Sequence, residues 1–308
     1  MSNEPRVGPG SSPAGVVPRA EIQLSIGAVV TTIASVDPEL TLTVPRAVAR
    51  FVVENVATDV RVEARWSDDP PRAQGRLLFD SGGLWQLHDV GGRYAWAFRS
   101  PRFGPVPYKN AVLERDMSAG AVSIHRPYFD AAAPIYPLEY PLDELIVTNW
   151  LALGRGVEVH ACAVRDANGA GYLFAGHSGA GKSTLAALWQ GLPDVTVLSD
   201  DRVILRRVGD RVWMYGTPWH GDEPLAAAAC APLTRGFFLR HADRQGLAGI
   251  ARAEVVAKLF ACSFPPFFSA EGLDFTIAFL TEVSRAAPFS ELAFLPDRRA
   301  IDFLRTAG

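Results

Sequence analysis

Apolar and polar residues alternate in short runs over the first part of the chain. Residues 41–44 (TLTV) and 60–64 (VRVEA) place every second side chain on an apolar face, which is typical of half-exposed β-strands. The pairs Gly82-Gly83 and Gly91-Gly92 each follow closely after an aspartate, and they predict hairpin turns because glycine adopts a positive φ without strain. Residues 21–125 are therefore predicted to be β-rich, with antiparallel strands.

A proline-rich passage, residues 127–141, separates this part from a mixed pattern of strands and helices. The elements predicted beyond it are a helix over 142–153, strands over 157–164 and 172–175, a helix over 182–190, strands over 195–198, 202–208 and 211–215, helices over 251–261 and 273–285, a strand over 291–295 and a short helix from 297. We predict a mixed α/β protein with three parts: a disordered segment (1–20), a β-rich accessory domain (21–140) and a second domain (141–308). The helix over 142–153 could belong to either domain.

Composition narrows the class of protein. The chain has 308 residues, 48% of them hydrophobic, and a formal net charge of −3 without a run dense in lysine and arginine, so neither nucleic acid nor an anionic membrane is expected as a partner. Cys162, Cys230 and Cys262 are far apart and show no CxxC spacing, which argues against a zinc site or a disulfide framework. No apolar run reaches the roughly 18 residues of a membrane span, and we expect a soluble cytoplasmic protein.

One segment carries a specific chemical signal. Residues 176–183 satisfy the pattern G-x-x-x-x-G-K-[ST], between an apolar strand and a helix. The candidate nucleotide-binding residues are Gly176, His177, Ser178, Gly179, Ala180, Gly181, Lys182, Ser183 and Thr184. Glycines allow the backbone N–H groups to curl around phosphate, and the helix adds the positive end of its dipole. Lys182 would contact the β- and γ-phosphates, and the Ser183 hydroxyl would ligate Mg²⁺.

A second acidic element follows the predicted helix. An apolar strand over 195–198 ends in Ser199, Asp200, Asp201 and Arg202. Such an element brings a carboxylate beside a phosphate loop and can hold Mg²⁺. Adjacent acids in an extended chain point to opposite faces, so we expect one of them to hold the metal and the other to face an acceptor hydroxyl. A merely polar strand end or turn is the alternative.

These motifs together resemble the catalytic domain of the HPr kinase/phosphorylase family, which is related to the ATP-dependent phosphoenolpyruvate carboxykinases. That family carries a V-H-G strand, then G-x-S-G-x-G-K-S, then A-D-D-R. Their counterparts in this chain are Val159-His160-Ala161, residues 176–183 and residues 199–202. A closer likeness is to HPr-kinase-related proteins of peptide-modification clusters, some of which phosphorylate serine in a precursor peptide. The resemblance is good over about residues 157–206 and looser over the rest of the second half, and it implies a P-loop domain of this kind after the β-rich domain.

The resemblance also implies roles for single residues. Lys182 corresponds to the essential phosphate contact, Asp201 to the acid that takes the hydroxyl proton, and His160 to the active-site histidine of the family; Asp200 and Ser183 are the metal candidates. The family's E-I-R-G-x-G-I stretch, which is tied to a further metal ligand and to the reverse phosphorolysis, has no counterpart. Residues 215–223 read YGTPWHGDE instead, where Glu223 or Asp222 is the candidate for that ligand and a solvated surface loop is the alternative.

The sequence therefore favours a serine kinase, dependent on ATP and Mg²⁺, that acts on a hydroxyl of a peptide or small molecule. A precursor peptide is one candidate acceptor, the β-rich domain would contribute to its recognition, and GTP is an alternative to ATP. A protein from another class is also compatible: an inactive, nucleotide-gated binding or regulatory protein that keeps the loop without chemistry. Carboxykinase-like chemistry on an oxo-acid is a third alternative, although no set of cationic substrate residues is identified for it. A homo-oligomer is compatible with all three. Arg240 and His241, after the apolar residues 237–239, are expected at a strand end beside the site, where an arginine could neutralise charge in the transition state; a surface ion pair is the alternative.

Overall fold

The computed structural model describes residues 19–69, 75–130, 132–177, 179–219 and 225–306. They fall into two compact units, one containing Val29–Trp150 and the other running from Leu151 onward. The predicted domain boundary precedes this division by the length of the first helix. Residues 1–18 of the predicted disordered segment lie outside the described residues, whereas Arg19 pairs with Leu42.

The first unit is built on a large sheet. In the described part of the chain this sheet has nine strands, in the order β3-β1-β2-β4-β9-β8-β7-β6-β5. Their bounds are β1 Glu21–Ile26, β2 Val29–Ser35, β3 Val52–Val53, β4 Val60–Ser67, β5 Arg76–Asp80, β6 Trp85–Val90, β7 Arg93–Ser100, β8 Gly104–Leu113 and β9 Ala119–His125. Short 3-10 turns cover Ala49–Phe51 and Arg126–Tyr128, and helix α1 spans Leu142–Leu151.

The alternation predicted for β4 is confirmed. Val60 and Val62 are fully buried, whereas Arg61 and Glu63 between them are exposed. The predicted strand over 41–44 is wrong, because Leu42 makes only isolated bridges, to Arg19 and Ile135. Both predicted glycine turns do connect strands, β5 to β6 and β6 to β7.

The expectation of an antiparallel sheet is wrong in its central part. Strand β4 runs parallel to both of its neighbours, β2 and β9. Residues 36–59 separate β2 from β4, and residues 68–118, which include strands β5 to β8 of the same sheet, separate β4 from β9, so neither pair is joined by the short hairpin that imposes antiparallel pairing. Alternation along a strand reports which face is buried but carries no information on the direction of the partner strand, so the sequence pattern could not have shown this.

The second unit is a mixed sheet with helices on both faces. Its strands are β10 Val157–Arg165, β11 Gly171–Ala175, β12 Thr196–Ser199, β13 Arg202–Val208, β14 Arg211–Gly216, β15 Cys230–His241, β16 Gly246–Gly249 and β17 Phe289–Phe294. Its helices are α2 Lys182–Trp189, α3 Arg252–Ala261, α4 Ala270–Ala286 and α5 Arg299–Thr306. Strands β11, β15 and β17 are parallel neighbours, so their carboxyl ends meet at one edge of the sheet.

Two apolar clusters hold these layers together. One side of the sheet packs against α3 and α4, where Leu259 and Leu280 are fully buried. The other side packs against α2 and α5, where Leu185 and Trp189 are fully buried. Neighbouring residues of β15 contribute to different clusters, Phe238 to the first and Phe237 to the second, as the two-residue period of a strand requires. The predicted mixed α/β class is confirmed. No helix in the described ranges is long and apolar enough to cross a membrane.

Candidate nucleotide-binding and catalytic site

The segment between β11 and α2 forms a tight loop at the edge where the parallel strands end. Gly179 and Gly181 have φ of 80° and 97°, a region of conformational space that favours glycine. The N–H of Ala180 donates to the carbonyl of His177 at 3.1 Å, which curls the loop on itself. Gly181 is the N-cap of α2, so the dipole of this helix starts at the loop. Ser178 lies outside the described residues.

Lys182 fills the centre of this loop. Its ammonium Nζ donates to the carbonyl oxygens of Gly176 (3.0 Å) and His177 (3.2 Å), and only 6% of the residue is exposed. Burial lowers the pKa of Lys182, and the charge of Asp201 acts in the opposite direction. The loop thus holds a positive charge that interacts electrostatically with the carboxylate of Asp201.

The acidic element follows β12, which pairs with β10. The Ser199 hydroxyl accepts the backbone N–H groups of Asp201 (3.3 Å) and Arg202 (3.1 Å) and so turns the chain at the strand end. The two acids differ in environment. Asp200 is buried, with 1% exposure, and its charge adds to burial in raising the pKa of the Cys162 thiol. The side chain of Asp201 is 20% exposed.

Asp201 is the centre of a charged network. Its Oδ1 lies 2.7 Å from Nε2 of His160, and its Oδ2 accepts a hydrogen bond from Nη1 of Arg202. Burial alone would raise the pKa of Asp201, but the hydrogen bond from His160 and the charges of Arg202 and Lys182 outweigh it and hold the pKa below its ordinary value. The structure therefore brings His160, Lys182 and Asp201 into one electrostatic cluster that contains an ionised carboxylate.

Sequence reasoning missed the segment that follows α3. The carbonyl of Cys262 accepts the backbone N–H of His160 (2.6 Å), and the backbone N–H of Phe264 donates to the carbonyl of Glu158 (3.1 Å), so these residues extend the pairing of β10. The ring of Phe264 lies 4.3 Å from the guanidinium carbon of Arg202, a cation–π contact that fixes the arginine beside Asp201. Burial raises the pKa of the Cys262 thiol, opposed by the backbone N–H of Gly176 and by Lys182, which places this thiol beside the loop.

The remaining predicted site residues are placed less completely. Ser183 is half-buried and Thr184 exposed in the first turn of α2. Glu223 and Asp222 lie outside the described residues. Residues on either side of them contact the acidic element. The Thr217 hydroxyl donates to the carbonyl of Arg202 at 2.8 Å, and Ala226 forms a β-bridge with Ser199.

The donor set can be compared with the needs of Mg²⁺. Within the described ranges there is no group of three or more His, Cys, Asp and Glu side chains that could hold a metal. Mg²⁺ is usually held by one or two carboxylates together with water and substrate phosphates, so a cage made only of protein groups is not required. The buried carboxylate of Asp200 and the Ser183 hydroxyl are oxygen donors of the kind this ion prefers.

Comparisons with known proteins support only a distant likeness. No protein-family profile matches the chain, and no curated protein matches it. Among 88 matching chains of solved structures is the Hpr(Ser) kinase/phosphatase from Coxiella burnetii. That protein is 11% identical, the match covers 49% of this chain and 99% of that chain, and the TM-score is 0.27. The similarity concerns the fold alone.

Proposed function

We propose that this chain is a kinase that uses ATP and Mg²⁺ to phosphorylate a hydroxyl group, a serine hydroxyl of a peptide or that of a small molecule. The observation that carries the proposal is the cluster of Lys182, inside a glycine loop, with the paired residues Asp201 and His160. A cation for phosphate and an oriented carboxylate for a hydroxyl are the two protein groups that phosphoryl transfer needs most.

Phosphate binding would rest on the loop and on α2. Backbone N–H groups and the N-terminal end of α2 attract anionic oxygens, and the ammonium of Lys182 is already held where the loop curls around it. The carbonyl groups that now accept from Lys182 keep the ammonium inside the loop, so a phosphate would meet a preformed positive charge. In this proposal Asp200 and Ser183 would hold Mg²⁺, and Glu223 is a further candidate ligand. The bound ion would neutralise charge on the phosphates.

The acceptor hydroxyl would lie against Asp201. The carboxylate is ionised and is fixed on both oxygens, by His160 and by Arg202, so it can accept a hydrogen bond from a hydroxyl in a defined direction. A carboxylate with a lowered pKa is a weak base. This is adequate for a loose phosphoryl-transfer transition state, in which the proton leaves late and orientation contributes more than basicity.

The test uses the full chain with MgATP and a degenerate peptide library containing serine, and it measures phosphopeptides by mass spectrometry. Asp201→Asn is expected to lower the transfer rate at least about 100-fold while ATP affinity stays within about twofold, because the carboxylate faces the acceptor and not the nucleotide. Lys182→Met is expected to abolish both. Asp274→Asn, a substitution of an exposed aspartate on α4, is the matched control.

The outcomes separate the alternatives. Full transfer activity in Asp201→Asn would overturn the role of this carboxylate. Tight binding of MgATP by the unaltered chain, with neither peptide phosphorylation nor ATP hydrolysis, would favour the nucleotide-gated binding protein. Absence of any nucleoside triphosphate binding would overturn the proposal as a whole.

A further inference from the structure

Two ring side chains lie at the edge of the sheet next to the phosphate loop. Strand β11 leads directly into the loop, its parallel neighbour β15 ends at His241, and the next parallel strand, β17, ends at Phe294. His241 and Phe294 are partners in the β15–β17 register. The backbone of the sheet therefore sets which side chains the loop meets, although they come from positions far apart in the sequence.

Both rings contact the glycines of the loop. The Nε2 atom of His241 lies 2.8 Å from the carbonyl oxygen of Gly179, and its ring stacks on that of Phe294 with centroids 6.3 Å apart and planes 24° apart. A Cβ atom at Gly181 would come within 2.8 Å of Phe294 and 3.6 Å of His241. Because a carbonyl oxygen only accepts hydrogen bonds, Nε2 of His241 carries the hydrogen.

This hydrogen bond fixes the orientation of one peptide group. In a trans peptide the C=O and the following N–H point in opposite directions. With the carbonyl of Gly179 held by His241, the N–H of Ala180 points to the other side, where it donates to His177 within the loop. An anion is bound by N–H groups and repelled by carbonyl oxygens, so a carbonyl that is held by a side-chain donor cannot turn towards a phosphate.

We infer that His241 is a positioning residue of the phosphate loop: its hydrogen bond to the Gly179 carbonyl fixes the peptide between Gly179 and Ala180, whose N–H closes the loop on His177, and so keeps the loop in the curled form that would bind a nucleotide phosphate. The inference rests on the proposed nucleotide binding. The ring of Phe294 stacks against the imidazole and leaves room for only a glycine at position 181. The donor is present whether the imidazole is neutral with its hydrogen on Nε2 or protonated.

The experiment compares substitutions that separate the ring from the hydrogen bond. His241→Phe keeps a flat ring over Phe294 but has no donor, whereas His241→Gln keeps an N–H donor at a similar distance from the main chain. The control is Asp274→Asn, the substitution of the exposed aspartate on α4. MgATP affinity is measured on the full chain by isothermal titration calorimetry, together with KM and kcat of the kinase assay and thermal unfolding without nucleotide.

His241→Phe is expected to weaken MgATP binding about fivefold, the effect of one net hydrogen bond, and to raise KM for ATP in proportion while kcat stays unchanged. The affinity and the KM of His241→Gln and Asp274→Asn should stay within about twofold of the values of the unaltered chain. Equal affinity of His241→Phe and the unaltered chain would overturn the inference and leave the proposed function intact. A result in which His241→Phe and His241→Gln lower both the unfolding temperature and the MgATP affinity by the same amount would also overturn it, because such a result indicates a role in packing alone. An unaltered chain that binds no MgATP would overturn the proposed function itself.

Discussion

Lys109 in β8 offers a quantitative test of the first unit. Its side chain is 2% exposed, its Nζ lies 4.8 Å from the ring centroid of Phe98, and it donates to the carbonyl of Glu139 at 3.2 Å. Burial lowers its pKa to about 8 from an ordinary value of 10.5, and the charges of Glu139 and Asp143 oppose this only in part. The folded protein therefore holds this proton less tightly than the unfolded chain does.

The direction and size of the effect follow from linkage. Between about pH 8 and 10.5 the unfolded chain binds more protons at this position than the folded protein, so the free energy of unfolding rises with pH in that window. The whole shift corresponds to about 3 kcal/mol, and the gain between pH 7 and pH 9.5 is about 2 kcal/mol. Burial raises the pKa of Tyr108 and Tyr136, so the unfolded chain loses its tyrosine protons at a lower pH than the folded protein does. These two residues therefore lower the free energy of unfolding as the pH rises, but only above about pH 10.

Lys109→Met keeps the length of the side chain and removes the titration. Asp143 would keep its partners, the Tyr136 hydroxyl at 3.2 Å and the backbone N–H of Glu144 at 2.8 Å. At pH 7 the variant loses a buried charge but also removes the cation opposite Glu139 and Asp143, so the test rests on how the difference in stability changes with pH and not on its size at pH 7. The difference between the two proteins should shift by about 2 kcal/mol in favour of the unaltered chain at pH 9.5.

The assay is urea unfolding from pH 7 to pH 9.5, followed by tryptophan fluorescence; the fully buried Trp96 in β7 reports on the sheet that contains Lys109. Taking the difference between the two proteins cancels titrations common to both. Lys258→Met is the control, since hydrogen bonding to Glu291 raises the pKa of Lys258 and its titration falls above the window. Parallel stability profiles of Lys109→Met and the unaltered chain would refute the reasoning.

Two further predictions concern the second unit. Gly181→Ala should destabilise the protein by about 1–3 kcal/mol and abolish MgATP binding, because φ is 97° and the new Cβ would lie 2.8 Å from Phe294. Thermal unfolding and calorimetry measure these two effects. The control Gly191→Ala should show the backbone strain alone, because φ is 77° there and the space around the new Cβ is open. Asp166→Asn should cost about 1–3 kcal/mol at pH 7, since the carboxylate is 3% exposed and accepts two hydrogen bonds from Arg305. The pairing with Arg305 lowers the pKa of Asp166, so the stability that this carboxylate contributes is complete above its ordinary pKa of 3.8 and is lost as the pH falls through the lower pKa of the folded protein. An acid unfolding profile of Asp166→Asn that matches that of the unaltered chain would contradict this.

The parts of the molecule that the sequence predicted are those with local causes. Gly179 and Gly181 were recognisable because a tight loop needs positive φ at both positions, and the observed angles agree. The strand predicted over 172–175 and the helix predicted over 182–190, which correspond to β11 and α2, rested on the apolar pattern of four and nine residues. Different environments for Asp200 and Asp201 were also predicted, but the chain bends at these residues after Ser199, so the alternation of an extended strand is not the cause.

The contacts that sequence reasoning missed are made between distant segments. His241 reaches Gly179 only because β15 lies parallel to β11, and Cys262 reaches His160 only because the chain after α3 pairs with β10. Neither pairing leaves a periodic signal, since strand partners are chosen by packing of the whole sheet. The contact between the Phe264 ring and the guanidinium of Arg202 has no sequence signature either.

The network around Asp201 bears on what kind of chemistry the site suits. A general base working near neutral pH needs a raised pKa for a carboxylate, yet His160, Arg202 and Lys182 together hold this pKa low. A reaction that must first deprotonate its nucleophile would therefore be poorly served here. In the proposed phosphoryl transfer the hydroxyl gives up its proton late, and a carboxylate fixed at both oxygens contributes direction rather than basicity. The pairs that weaken Asp201 as a base are thus the same pairs that would orient an acceptor hydroxyl in the proposed transfer.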